Sequence, residues 1–483
     1  MQTKNLIQTF GGIILASILL SLITEAYYLV GIPAFLLLVY VTIVDFRKIF
    51  YLLLISIPFS VEVYLPNGLG TDLPIEPLIV GLMLVYLLYI MANPLKTNGR
   101  FIRHPITLAL LTHFFWIVIA TLFAEIFVYS LKFSLAKLWY IVVFFFLAGR
   151  MLKTEKEIKI FFWCILIPLM ITLVSFFIQH YQLDFSFEKV NGAVDPFYRN
   201  HVNFAAILAL FFPVVWFVRL WYPKGSKARN FLGFSLVVLL IAINFSYTRA
   251  AYVAIIIAGA AYFIIKWRLI KLALVLSAAM LIGLAVFLST NNKYLDFAPD
   301  FERTVTHTEF DNLLEATYKM EDISTVERFY RWIAGGYMIK HNPMTGVGPG
   351  NFYSFYKGYT VTSYQTYVSG NPEKSGVHNY FLMILIEQGF IGLIFYVFLS
   401  MYVLIKGEKI YHQAKEMKHK HIVMFSMLSL IVIHALCLIN DLVETDKVGS
   451  FFFIFMALIV NIDLVNKSKE NDPMPTSNTL PDL

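Results

Sequence analysis

Apolar residues along this chain gather into long uninterrupted blocks joined by short polar connections, with little of the two-residue alternation of a half-buried strand. Blocks of roughly 17–25 apolar residues have the length of a membrane-crossing helix. They predict about fourteen spans, near 6–24, 27–45, 49–65, 75–92, 105–124, 133–149, 158–179, 201–221, 231–247, 250–266, 271–289, 378–405, 422–440 and 448–465. The third is interrupted by Pro58 and Glu62 and the sixth is short, so the expectation is 12–14 helices. The first block follows a single positive residue, Lys4, and lacks a small-residue cleavage site, so it reads as a retained helix.

The connections alternate in charge. "DFRKIF", "KTNGRFIRH", "GRMLKTEKEIK", "YPKGSKARN", "KWRLIK" and "KGEKIYHQAKEMKHKH" are basic, and all follow even-numbered spans. Odd-numbered connections such as "VEVYLPNGLGTDLPIE" and "NDLVETDK" lean acidic. Because Lys and Arg concentrate in cytoplasmic loops, the even side is expected in the cytoplasm, with both termini there. The one large loop, roughly 290–377, then lies on the outer face, as do Arg249 and the segment "EKVNGAVDPFYRNH", which carries Arg199. The polar tail 466–483 is expected to be a disordered cytoplasmic extension.

Composition agrees. Of 483 residues, 59% are hydrophobic and 14% charged, with a mean hydropathy of +0.70, whereas globular chains carry about 25% charged residues. The net charge of +7 therefore records orientation, and nucleic acid is not an expected partner. Cys164 and Cys437 both sit inside apolar runs, which excludes a disulfide framework and a CxxC metal or redox site.

Chemistry is concentrated in the outer connections. In "TVERFYRWIAGGYMIKHNPMTGVGPGNF", Val326, Phe329, Tyr330, Ile333 and Tyr337 recur at helical spacing and predict an amphipathic helix ending before Pro343. Arg328 and Arg331, three apart, are neighbours on its surface; they either snorkel from an interfacial helix or face an anion. "GVGPG" lacks the Lys-Ser/Thr of a phosphate-binding loop and reads as a tight turn. The aromatic run "NFYSFYKGYTVTSYQTY" could stack on sugars or seat the loop at the interface. Arg249, in the very short break "NFSYTRAAY", is either an interfacial cap or faces an anion. His378 stands at the mouth of the run "HNYFLMILIEQGFIGLIFYV", where an imidazole near neutrality either exchanges a proton or is a satisfied interfacial group. His113 and His434, within spans, read as packing residues, and Glu387 as too deep to bond His378.

Taken together these segments resemble the O-antigen ligase/O-antigen polymerase superfamily. Its pattern has an Arg four residues before a Trp (Arg328, Trp332), then a Pro-Gly turn (Pro343, Gly346, Gly348, Phe352). A His-Asn pair (His378, Asn379) then leads a helix carrying Glu387, Gly389 and Gly392. "SYTRAAY" is similar to the family's Ser-Arg break, with Thr248 in place of the usual Ser. The likeness covers roughly 200–405 and divides the chain into N-terminal spans 1–199, a ligase-like region 200–405, C-terminal spans 406–465 and the tail 466–483.

The resemblance implies an all-α polytopic membrane glycosyltransferase of GT-C-like architecture, located in the bacterial inner membrane. It implies a polyprenyl-pyrophosphate-linked glycan as donor and a glycolipid or glycan as acceptor. His378 would be the catalytic base, with Arg249, Arg328, Arg331, Arg199, Trp332 and Asn379 in the substrate site. Arg331 lies outside the family pattern and is expected to tolerate replacement better than the others. No cofactor is implied. The outer loops lack an Asp-x-Asp pair, and arginines could neutralise a diphosphate in place of a metal. Ligation onto lipid A core ranks first, ahead of polysaccharide polymerisation and protein O-glycosylation. A lipid-linked-sugar transporter is the rival of a different class, and should carry ionisable groups at midplane in broken helices of repeated halves.

Overall fold

The computed structural model describes residues 3–24, 32–64, 70–94, 99–291, 293, 323–362, 365, 369–371 and 375–471. The sequence expectations for the start of the large loop and the end of the tail fall outside these residues. The chain is an all-α polytopic membrane protein: among the described residues, 11 helices are long and apolar enough to cross a membrane. In chain order the helices are α1 (Thr3–Thr24), α2 (Ile32–Phe59), α3 (Ile75–Ala92), α4 (Pro105–Leu122) and α5 (Phe127–Met151). They continue with α6 (Glu155–Gln182), α7 (His201–Arg219), α8 (Lys227–Phe245), α9 (Arg249–Lys266) and α10 (Ile270–Ser289). The last four are α11 (Ile323–His341), α12 (Tyr380–Gln413), α13 (Met417–Cys437) and α14 (Asp446–Asn471).

The second and third expected spans are replaced by α2, a helix broken at Asp45 (φ −153°, ψ 84°). Each half is too short for a 30 Å hydrocarbon layer at 1.5 Å per residue. The chain beyond it forms a small antiparallel hairpin, β1 (Val61–Tyr64) with β2 (Gly70–Leu73), pairing Val61 with Leu73 and Tyr64 with Gly70. The short sixth span is instead a 25-residue helix, α5, containing a π-helical segment at Ile141–Leu147. At the other terminus α14 carries the helix six residues into the expected tail, to Asn471.

Packing runs from a buried centre to a lipid-facing rim. The crossing part of α14 is 89% buried and that of α10 only 6%, as expected when apolar residues all round a helix face either protein or lipid. Polar contacts sort by end. At the basic end, Asp463 bonds His104 and Lys406, Lys418 pairs with Glu155, and Trp221 donates to His421. At the other end, Arg199 pairs with Glu62 and Lys137 with Glu444. Buried Lys447 donates to the carbonyls of Ile57, Pro58 and Ser60, at the negative end of the α2 dipole. The predicted candidate residues all lie at this second end.

Candidate functional site at one end of the bundle

The site is built on α11. Its apolar side buries Val326, Tyr330, Ala334 and Met338, although Tyr337, expected on that side, is exposed. Arg331 emerges from the buried side. Its guanidinium donates to Ser375 Oγ (2.9 Å) and the Gly376 carbonyl (3.1 Å), and faces Glu327 one turn earlier at 3.5 Å. Glu327 in turn accepts from Ser369 Oγ. Trp332 Nε1 donates to the Val377 carbonyl at 3.0 Å, and Asn371 clasps Ser375 through both its oxygen and its amide. Residues 375–377 are thus fixed from three sides.

That anchoring presents His378. Its φ is +56°, a left-handed conformation uncommon for a non-glycine residue. Such backbone persists where surroundings over-determine it. Asn379 follows as the N-cap of α12, its Oδ1 accepting from Leu382 N at 2.9 Å. This spends the amide oxygen on the helix, so the position that sequence placed in the substrate site also has a structural task. Arg328, half-buried, donates to the Ile439 carbonyl and to Ser324.

Burial, with Arg328 and then Arg331 adding positive charge nearby, lowers the His378 pKa from 6.5 to about 3. The imidazole is therefore neutral throughout the physiological range. This departs from an ordinary histidine titrating near neutrality, and the departure has a cause that only the fold supplies.

Asp441 is the residue that sequence reasoning missed. It lies in the turn between α13 and α14, half-buried, with its carboxyl raised above the usual range by desolvation and by Glu444, while Arg331 and Arg199 oppose that rise. A Cβ at Gly376 would fall 2.1 Å from Asp441 Oδ2. Glycine at 376 is what allows this carboxyl to lie against the backbone leading to His378. The usable signal was an acidic residue at the very end of an apolar run, "HALCLINDL", where an intramembrane charge needs a partner.

Arg199, half exposed, is linked to the cluster through Asp441. Arg249 opens α9, next to Thr248, whose hydroxyl bonds the carbonyls of His201 and Ser246. The break 246–248 therefore packs on the segment that carries Arg199. Contacts join His378, Arg328, Arg331, Trp332, Asn379 and Asp441 into one group, while Arg199 and Arg249 border it.

The helix behind the site is not straight. Gly389 has φ +70° and ψ −174°, which breaks α12. In a continuous helix, Tyr380 and Tyr396 would be about 24 Å apart along the axis, yet their rings are 5.1 Å apart. The first segment, 380–388, folds back toward the second. "GVGPG" fills the break: Val347 N and Gly348 N donate to the carbonyls of Ile386 and Glu387, and Phe390 N donates to Pro343 O. Trp116 Nε1 takes the Gln388 carbonyl. Glu387 accepts from the amides of Gly350 (2.8 Å) and Phe352 (3.1 Å). So the turn is a tight one, as its sequence suggested, and Glu387 serves to hold it. His113 bonds Gln388 and His434 bonds the Leu430 carbonyl, both within the packed spans.

Fold and site define a polytopic membrane protein with cations and the neutral imidazole of His378 gathered at a single end of its bundle. Residues 234–397 match the family model described as O-antigen ligase. A curated protein of Salmonella typhimurium described as "O-antigen ligase" is 27% identical over 219 residues, which are 44% of this chain and 48% of that protein. The match thus spans about half the length of that relative. Through its ligase-like region the chain is thus similar to the O-antigen ligase family.

Proposed function

We propose that this protein transfers a glycan from a polyprenyl-pyrophosphate carrier to an acceptor hydroxyl on the outer face of the bacterial inner membrane. We take an O-antigen ligase-type reaction as its first form, since the matched names read O-antigen ligase, and lipid A core as its acceptor. The observation that carries the reading is the neutral His378, held beside Arg328 and Arg331 at the mouth of α12. The bond from the anomeric carbon to the pyrophosphate oxygen breaks and its electron pair leaves with the carrier. The acceptor oxygen takes its place on that carbon and passes its proton to His378.

Because the leaving group is already a stable anion, the demand is for charge stabilisation during departure. Planar guanidinium donors suit phosphate oxygens in pairs; Arg328 and Arg249 take this role, with Arg199 at the border. Arg331 holds the histidine loop and adds its charge. With a pKa of about 3 the free histidine is a weak base. A bound diphosphate would offset the two arginine charges and raise its basicity, so proton acceptance is tied to donor occupancy.

Against a transporter, the one broken helix described at this site has its backbone groups filled by the 343–348 turn rather than left open to cargo. The deciding experiment is glycan analysis of a deletion strain. Accumulation of unattached lipid-linked polymer supports ligation onto lipid A core, single repeats indicate a polymerase, and unchanged surface glycans with unglycosylated protein indicate a protein acceptor.

A further inference from the structure

At the opposite end of the bundle, the turn between α9 and α10 meets the C-terminal part of α12 and leaves a cleft of about 580 Å³. Arg268, Lys271, Lys406 and Lys409 line it, with His412 and Glu408. The carboxylate is already committed, since buried Glu408 accepts from Ile270 N at 3.1 Å and so caps α10. His412 bonds the Ile265 carbonyl at 2.9 Å, and Lys406 faces Asp463 at 3.5 Å. Arg268, Lys271 and Lys409 are exposed.

Basic residues are common at this end, so charge alone would say little. Two further features single out this cleft. Arg268 sits at φ +61°, just past the end of α9, where its N–H bonds the Ile265 carbonyl and Leu269 N bonds the Ile264 carbonyl. That turn geometry ordinarily takes glycine, and an arginine kept there in spite of backbone strain points to use of its side chain. Next, Tyr402 and Ile405 are shared between the cleft and an apolar groove of about 550 Å³ along α12, which passes Met401, Phe398 and Ile394. Ile394 and Phe398 are 62% and 55% exposed, toward the lipid. A basic mouth therefore continues into a hydrocarbon-lined channel.

We infer that this cleft and groove bind an anionic phospholipid, its phosphate on Arg268, Lys271 and Lys409 and an acyl chain along α12. Charge and shape select together: a zwitterionic headgroup would bring a cation into a basic cleft, and a free phosphate would leave the groove unfilled. The site holds α10, which is nearly all lipid-facing, against the broken helix that carries His378 at its far end.

The test uses the full chain, purified and delipidated, with retention of added lipid read by native mass spectrometry. Phosphatidylglycerol should be retained over phosphatidylethanolamine. A juxtamembrane basic residue contributes roughly fivefold in affinity, so Arg268→Gly with Lys409→Gln should lower phosphatidylglycerol retention by roughly thirtyfold. Since glycine suits the turn, that variant should unfold at no lower a temperature than wild type in zwitterionic detergent. Lys271→Gln with Lys409→Gln, on exposed surface, gives a second reading should the first misfold. Arg103→Gln with Lys153→Gln removes the same charge from a separate basic cleft at this end and should leave retention unchanged. Equal loss in that control, undiminished retention in both cleft variants, or displacement of the lipid by glycerol phosphate at equal concentration would each overturn the proposal.

Discussion

Acidification separates His378 from an ordinary histidine, and the structure sets the size of the effect. With a pKa of 6.5, an imidazole at pH 5 is about 3% neutral, and a reaction needing the neutral form loses about thirtyfold. At a pKa of about 3 the same group stays about 99% neutral at pH 5, and almost nothing is lost. The sign follows from the cause: burial and the two arginines disfavour the charged form, so the proton-accepting form disappears only as pH falls through about 3. The assay is initial-rate transfer from a purified lipid-linked donor across pH 5 to 8. Here kcat/KM reports the free enzyme and kcat the donor complex. We expect kcat/KM to be flat down to pH 5, and kcat to bend at a higher pH because the diphosphate offsets the arginines. Replacing His378 by Gln should cost roughly 100-fold or more in single-turnover rate. A thirtyfold fall of kcat/KM through pH 6.5 would refute the electrostatic reasoning, and near-wild-type turnover in the Gln variant would remove the histidine from the chemistry.

Arg328→Ala and Arg249→Ala should abolish transfer while leaving membrane-inserted protein abundant on immunoblots, with Lys a poor substitute at either position. Arg331→Ala differs from what its absence in the family pattern suggested: it removes the cation facing buried Glu327, which keeps Ser369 as a partner, so thermal unfolding should drop along with activity. Gly376→Ala, which drives a methyl into Asp441, should cut transfer strongly with modest loss of abundance, whereas Gly389→Ala, placed 2.1 Å from the Met344 carbonyl, should deplete folded protein on size-exclusion chromatography. For orientation, single cysteines at Ser354 and Lys224, in a chain lacking Cys164 and Cys437, should label with an impermeant maleimide only from outside and only after lysis, respectively; the reverse would invert the site's placement. EDTA should leave transfer unchanged, and a fall restored by a divalent cation would show that the arginines need a metal's help.

Most of the bundle was legible because a block of apolar residues has one stable arrangement in a bilayer, a helix that satisfies its own backbone. The amphipathic α11 was equally legible from Val326, Tyr330 and their periodic neighbours. Where Asp45, Arg47 and Lys48 interrupt the apolar block, periodicity could not say whether the chain turns back or kinks, and it kinks. His378, Arg328 and Trp332 could be found because they sit in a spaced pattern. Asp441 could not, because its importance comes from a contact with Gly376, 65 positions earlier in the chain, that no local spacing encodes. The depressed His378 pKa was invisible for the same reason: it comes first from burial by the packed fold and then from Arg328 and Arg331, 50 and 47 residues away in sequence.

The filled break in α12 also bears on how the chain is made. A bent helix that exposed the carbonyls of Ile386, Glu387 and Gln388 to hydrocarbon would lose several kcal/mol per group. Their partners, the amides of Val347 and Gly348 and the indole of Trp116, all precede the helix in the sequence. Synthesis runs from the N-terminus, so the donors to these three carbonyls have been made before the carbonyls emerge from the ribosome. Vectorial synthesis thus provides the wedge first and the helix second, and α12 can take its bent form on arrival instead of inserting straight and refolding afterwards.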